Sequence, residues 1–262
     1  MQIRLDLTKN LQENAAEYFQ KAKKAKNKLP GAQQALTKAQ EKAKKSKEET
    51  QKTQQRIQLQ KPKEHWYHKY HWSKTTTENL LIAGSNAAAN ETLIKHQTTP
   101  EDLIFHTDMA GSPFTILQAK TPTQQDLQEA AQLTAAYSKA WSKGLATLEV
   151  FYVKPEQVTK EAQSGEYLSK GSFMIRGETN YLHPEVRLCI GVIKQEGYEK
   201  EVFVGSKESC KKHCSEYAEI IPGEEKTSDV AKQLRKRLGG DLDAYIKAIP
   251  AGGSKIHAWY TQ

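Results

Sequence analysis

The sequence predicts an α+β protein: an N-terminal helical hairpin forming a coiled-coil-like arm, then a mixed, largely antiparallel sheet domain with flanking helices. Three observations carry this expectation. Residues 11–59 are rich in Ala, Lys, Gln and Glu, all good helix formers. At His65 the composition turns abruptly aromatic and β-branched, in short alternating runs. Beyond that point strand-like and helix-like stretches follow one another, separated by glycine-containing loops, the order expected of an α+β domain.

Taken in order, Asn10 with Glu13 three residues on resembles a capping box, so a helix starts there. Leu29-Pro30-Gly31 is expected to end it, because proline lacks the helical donor and glycine permits a reversal. A second helix from Ala32 to about Leu59 completes the hairpin. Its apolar stripe is thin: Leu11, Ala15, Phe19, Ala22 and Ala25, then Ala32, Ala35, Leu36, Ala39 and Ala43. Alanine buries little area, so the arm gains modest stability by itself. In the second part, Leu80-Leu81-Ile82-Ala83 reads as a buried strand, Ala87 to His96 as a short helix, and Leu103-Ile104-Phe105 and Phe114 to Gln118 as neighbouring strands. Thr123 and Asp126 cap a helix whose face runs Leu127, Ala130, Ala131, Thr134, Tyr137, Ser138 and Trp141 up to Gly144. Further strands are expected at Leu148 to Val153, Ser172 to Ile175, Arg187 to Ile193 and Val202 to Val204. Helices are expected from Lys207 to Tyr217 and from Ser228 to Leu238, the latter stopped by Gly239-Gly240. The resulting division is a basic arm at 1–62, a globular domain at 63–194 and an α/β extension at 195–262.

Charge sharpens the division. The net charge is +8, yet residues 1–64 hold sixteen Lys and Arg against seven Asp and Glu, while the remainder holds 23 against 24. The entire positive excess therefore lies in the arm, which favours phosphate polymers or anionic surfaces irrespective of their sequence. No apolar run approaches the roughly 18 residues of a membrane span and no signal-peptide pattern opens the chain, so a cytoplasmic protein without a membrane partner is expected. Three cysteines, Cys189, Cys210 and Cys214, are too few for a disulfide scaffold and read as reduced thiols. Cys210-x-x-His213-Cys214 lacks further ligands of a recognised site, as does the His65, His68, His71 series among its aromatics, so neither is assigned a metal. No cofactor is expected.

Several blocks, in order, carry a family resemblance: His65-Trp66-Tyr67-His68-Lys69-Tyr70-His71-Trp72; Leu81-Ile82-Ala83-Gly84-Ser85-Asn86 with Asn90-Glu91; Asp102-Leu103-Ile104-Phe105-His106-Thr107-Asp108-Met109-Ala110-Gly111-Ser112; Ala136-Tyr137-Ser138-Lys139-Ala140-Trp141; and Ser164-Gly165-Glu166-Tyr167 running to Gly171-Ser172-Phe173-Met174-Ile175-Arg176-Gly177. These resemble the RNA-binding NFACT-R domain of the NFACT family of ribosome quality-control factors. Leu5-Asp6-Leu7-Thr8 and Tyr18-Phe19 resemble the entry into the coiled coil that precedes that domain. The resemblance implies binding to tRNA and to the large ribosomal subunit carrying a stalled nascent chain, with the peptide chemistry left to the ribosome. It also implies a separate chain carrying the NFACT-N portion as a partner. An alternative keeps the domain but makes it a subunit that presents tRNA to a tRNA-modifying enzyme.

The residues expected to touch RNA are Asn86 and Asn90 at a helix start, Lys95, His106 and Asp108 at a strand end, Gly111 and Ser112 in the following loop, and Lys170 and Arg176 beside a short strand. Family members usually have arginine where this chain has Ser85, which weakens any phosphate grip by that loop. His106 and Asp108 invite an acid–base reading, but no nucleophile stands beside them in the sequence. No catalytic residue is assigned.

Overall fold

The computed structural model describes residues 4–6, 8–56, 64–161, 170–193 and 199–261. Ser164-Gly165-Glu166-Tyr167, the expected end of the arm at 57–62 and the side chains of Ala32, Ala35 and Ala43 lie outside the described residues. The chain divides into two units, Met1–Leu59 and Gln60–Gln262.

The first unit is dominated by one helix, α1 (Leu11–Arg56). The capping box at its start is reciprocal: the Glu13 amide donates to Asn10 Oδ1 (2.8 Å) and the Asn10 amide to Glu13 Oε2 (2.9 Å). Asn14, only 5% exposed, binds the strand of chain before the helix, accepting from the Asp6 amide and donating to the Asp6 carbonyl. The expected hairpin is not formed, because α1 runs uninterrupted through Pro30. Proline forfeits one helical hydrogen bond at a cost of about 3 kcal/mol, and long runs of strong helix formers on both sides sustain propagation through it. Among the described residues no second helix folds back over the apolar stripe, and Leu11 and Phe19 stand 77% and 75% exposed.

In the second unit a 3₁₀ turn (Trp66–Lys69) leads into β1 (His71–Lys74) and β2 (Leu80–Ala83), then α2 (Ala87–His96), β3 (Leu103–His106), β4 (Thr115–Gln118), α3 (Gln124–Ala136), α4 (Lys139–Ser142) and β5 (Val150–Val153). A two-stranded ribbon, β6 (Val158–Thr159) with β7 (Met174–Ile175), precedes β8 (Asn180–Leu182). The remainder is β9 (Leu188–Ile193), β10 (Glu201–Gly205), α5 (Lys207–His213), β11 (Glu216–Glu225), α6 (Thr227–Leu238), α7 (Leu242–Ala248) and β12 (Ser254–Thr261). One antiparallel sheet has the order β1-β2-β4-β3-β5-β8 and a second the order β10-β9-β11-β12.

One core joins the two sheets through α3. Leu81, Phe105 and Leu117 of the first sheet, Ala130 and Leu133 of α3, Ile190 and Ala218 of the second sheet and Leu234 of α6 belong to a single buried cluster. Alanines on α3 let the helix lie close to both sheets, and Ser73 Oγ donates to the Val204 carbonyl (2.6 Å) to tie β1 to β10. β9, before the expected division at 194, pairs with β10 and β11, which follow it. Residues 199–261 thus share a sheet and a core with the segment before them.

Two expected helices are shorter than periodicity suggests. The helix after Thr123 stops at Ala136, because Ser138 Oγ donates to the Ala135 carbonyl and accepts from the Ala140 amide, capping α4 as a new helix. The helix after Ser206 stops at His213, and Tyr217 enters β11 opposite Gly191 and Tyr260. Sheet pairing on both sides outweighs the helical spacing there. Cys189, Cys210 and Cys214 are buried together with Phe203 and Tyr217, so the thiols form a packing face, and burial holds the Cys210 thiol protonated. His65–Trp72 likewise packs on itself, with His65 stacked on Tyr67 and His68 on Trp72.

Candidate nucleic-acid interface

The second unit holds an open cleft of about 1040 Å³. Its floor is the end of β3 and the loop leading to β4. His106 Nδ1 lies 2.8 Å from the Pro113 carbonyl, and its ring stacks on Phe114 at 3.9 Å and 4°. A carbonyl only accepts, so Nδ1 carries the hydrogen and Nε2 presents a lone pair. Burial pushes the imidazole below its ordinary pKa, against the opposing pull of the Pro113 carbonyl and of Asp108, so the ring is neutral near pH 7. In the same loop Ser112 Oγ donates to the Met109 carbonyl (2.7 Å) and meets Thr107 Oγ1 at 2.9 Å, which commits this buried hydroxyl to the loop's own shape. Gly111 has φ +85°, and a Cβ there would stand 2.7 Å from Lys139 Cε. The positive φ is what favours glycine here, since the lysine end could shift aside.

One wall is the start of α2. Asn86 Oδ1 accepts from the Ala89 amide (2.9 Å), which makes Asn86 the helix cap, and buried Asn90 accepts from the Phe114 amide (3.2 Å). The segment Lys170–Phe173 presses on this helix. Gly171 has φ +82°, a Cβ on it would fall 2.6 Å from Ala87 Cβ, and its amide donates to Glu91 Oε1 (3.1 Å). Lys160 binds the same carboxylate and lies over the Phe173 ring. Those two donors, Lys160 first and the Gly171 amide second, hold Glu91 at a pKa of about 2 against an ordinary 4.5. A depressed carboxylate stabilises the fold above its unfolded pKa and ceases to as pH falls through the folded value. Glu91→Gln is therefore expected to lower Tm by a constant amount from neutrality to about pH 5, with the gap to wild type closing between about 4.5 and 2. Thermal melts across pH check this, and a gap that persisted at the acid end would mean the Glu91 carboxylate does not hold the segment.

A further wall comes from the C-terminal part of the unit: Thr227, Ile246, Ile249, Ala251 and Gly252. Trp141, 1% exposed, fixes it through Nε1, which donates to the Gly253 carbonyl (3.2 Å) and Ser254 Oγ (3.0 Å). Tyr137 donates its hydroxyl to the Ala248 carbonyl (2.6 Å) and stacks on His71 at 3.9 Å. Burial depresses His71 to a pKa of about 4 and raises the Tyr137 phenol, so both are neutral fixtures of the wall.

Of the residues expected to touch RNA, Asn86, Asn90, His106, Gly111, Ser112 and Lys170 line this one cleft. Lys95, Asp108 and Arg176 are exposed but do not line it. Arg176 instead faces Glu161, with Nη2 3.7 Å from Oε2, and His106 turns Nδ1 to Pro113 rather than to Asp108. Sequence reasoning missed Lys139, which enters the cleft at the first position of α4. Its signal was Ser138, a helix cap read as part of a continuous face.

Residues 69–177 match the family described as NFACT protein RNA binding domain. The archaeal Rqc2 homolog aRqcH of Methanocaldococcus jannaschii is 35% identical over 73% of this chain and 29% of its own length. The ribosome quality control complex subunit NEMF homolog of Drosophila melanogaster is 31% identical over 72% of this chain and 20% of its own, and human NEMF 33% identical over 65% and 16%.

This chain belongs to the NFACT family.

It spans less than a third of the length of these relatives. Most of the cleft lies within the matched NFACT RNA-binding domain, but the wall at 227–252 lies beyond residue 177, where the match ends. Among the described residues no helix is long and apolar enough to cross a membrane.

Proposed function

We propose that this chain is the RNA-binding portion of a ribosome quality-control factor, and that it contacts tRNA and large-subunit rRNA through the cleft. The observation that carries the reading is the convergence, inside a matched RNA-binding domain, of Lys139, Lys170 and the N-terminus of α2 on one opening. The ribosome quality control roles of the relatives support the ribosomal setting. The residues of the cleft bind and orient; none is assigned a chemical step, since His106 is tied to a backbone carbonyl and the Ser112 hydroxyl to its own loop. The positive excess of residues 1–64 adds a second attraction to phosphate, independent of the cleft.

Sedimentation with purified large ribosomal subunits tests the proposal. At about 50 mM salt the protein is expected to pellet with the subunits, and at several hundred millimolar to be released. Binding to free tRNA with no affinity for large subunits would instead favour presentation of tRNA to a modifying enzyme, and binding to neither RNA would overturn the reading.

A further inference from the structure

We propose that the cleft receives a single unpaired nucleotide of an RNA strand, with its phosphate between Lys139 and Lys170, its base against Ile246, and a donor on the nucleotide bonded to His106 Nε2. The inference rests on the RNA-binding reading and specifies what part of an RNA enters.

Four features converge. The cleft, about 1040 Å³ in volume, is large enough to admit a nucleotide. Lys139 and Lys170 are both exposed, both line the cleft, and neither meets a carboxylate among the described residues. The ten-residue helix α2 begins on the same cleft, where Asn86 accepts from the Ala89 amide and, among the described residues, the first two amides of the helix meet no acceptor, as an anion site requires. Phosphate is the anion that an RNA strand offers.

The third feature is His106. Its Nδ1–H is fixed on Pro113, and burial keeps the ring neutral, so the imidazole lining the cleft offers a hydrogen-bond acceptor rather than a cation. Phosphate has no hydrogen to give at neutral pH, so His106 does not serve it. A ribose 2′-hydroxyl or a base exocyclic amine does have one, and both belong to a nucleotide. The fourth feature is Ile246, a large apolar side chain left 40% exposed on α7 in the lining of the cleft. An apolar face in the same cleft as two lysines suits an unstacked base, whose own faces are apolar. Because Ile246 and its neighbours come from the C-terminal part of the unit, the matched RNA-binding domain needs that part to complete its site.

The test is fluorescence anisotropy with an RNA hairpin carrying one bulged adenosine and the same hairpin fully paired. Wild type is expected to bind the bulged form about tenfold more tightly, as burial of one base face on an apolar side chain provides. Lys139→Ala and Ile246→Ser, both at exposed positions, are expected to erase that preference while the affinity for the paired hairpin falls less. A bulged 2′-deoxyadenosine, or a bulged purine riboside lacking the amine, identifies the donor: one of the two weakens binding to wild type and leaves His106→Phe, which retains an aromatic ring over Phe114, unchanged. Equal affinity for bulged and paired RNA overturns the proposal, as does a preference that survives both Lys139→Ala and Ile246→Ser, or sensitivity to neither modified nucleotide. Absence of binding to either hairpin at low salt would instead be a failure of the RNA-binding reading itself.

Discussion

Trp141→Ala is expected to destabilise the globular unit by about 3–5 kcal/mol, the usual cost of truncating a large buried aromatic. Trp141 is 1% exposed and sits in the cluster that joins both sheets, so its removal leaves a cavity that α3 and α4 cannot close without moving off the sheets. The indole also donates to the Gly253 carbonyl and Ser254 Oγ. Without it, buried Ser254 and the turn before β12 lose a donor that water does not reach, which adds to the transfer cost. Urea denaturation measures the loss, and for a unit of this size Tm should fall by roughly 10 °C. Because the same turn forms the wall beside Ile249 and Gly252, RNA affinity should fall with stability. Trp141→Phe separates the two contributions, since it retains much of the volume and removes only the donor. A loss below about 1 kcal/mol for Trp141→Ala would mean that the C-terminal wall docks without its anchor.

The second large effect is electrostatic. Replacing both Lys139 and Lys170 by alanine is expected to weaken RNA binding by about tenfold or more per lysine at low salt, the range for hydrogen bonds to charged groups. The slope of log affinity against log salt should become shallower by about one for each lysine. Both side chains are exposed, so the melting temperature should hardly change, and a lowered Tm would recast them as structural. Arg176→Ala provides the contrast. It lies outside the cleft and faces Glu161, so its loss should alter the slope less than either lysine. An unchanged salt slope in the double variant would remove the cleft from the RNA interface and leave the basic arm as the source of affinity.

Local chemistry is what the sequence by itself determined. The capping boxes at Asn10–Glu13 and Thr123–Asp126 set helix starts because the partners are three residues apart, and the structure bears both out. Strands at Leu80–Ala83, Leu103–His106 and Thr115–Gln118 were legible because their residues are apolar in short runs bounded by turn formers. Family membership was legible too, in motif blocks, whereas the sequence did not show that the residues at 86, 90, 106, 111, 112 and 170 line one cleft.

Whatever depended on a competition between local and distant contacts was decided by the tertiary structure. Pro30 interrupts the helical hydrogen bonds of α1, yet the strong helix formers on both sides carry the helix on to Arg56. Ser138 ends one helix and caps another because Tyr137 and Trp141 are drawn to carbonyls at 248 and 253, more than a hundred residues away. β1 and β12 carry mixed polar and apolar residues, and their pairing partners, rather than their own periodicity, make them strands. The cleft has the same origin: a cap at Asn86, a loop at Gly111, a glycine at Gly171 and a wall at Ile246 are distant in sequence and meet only because both sheets clasp α3 in one core. Spacing along a chain reports hydrogen bonds made within a turn or two, whereas a site assembled across a core depends on burial, which no local pattern encodes.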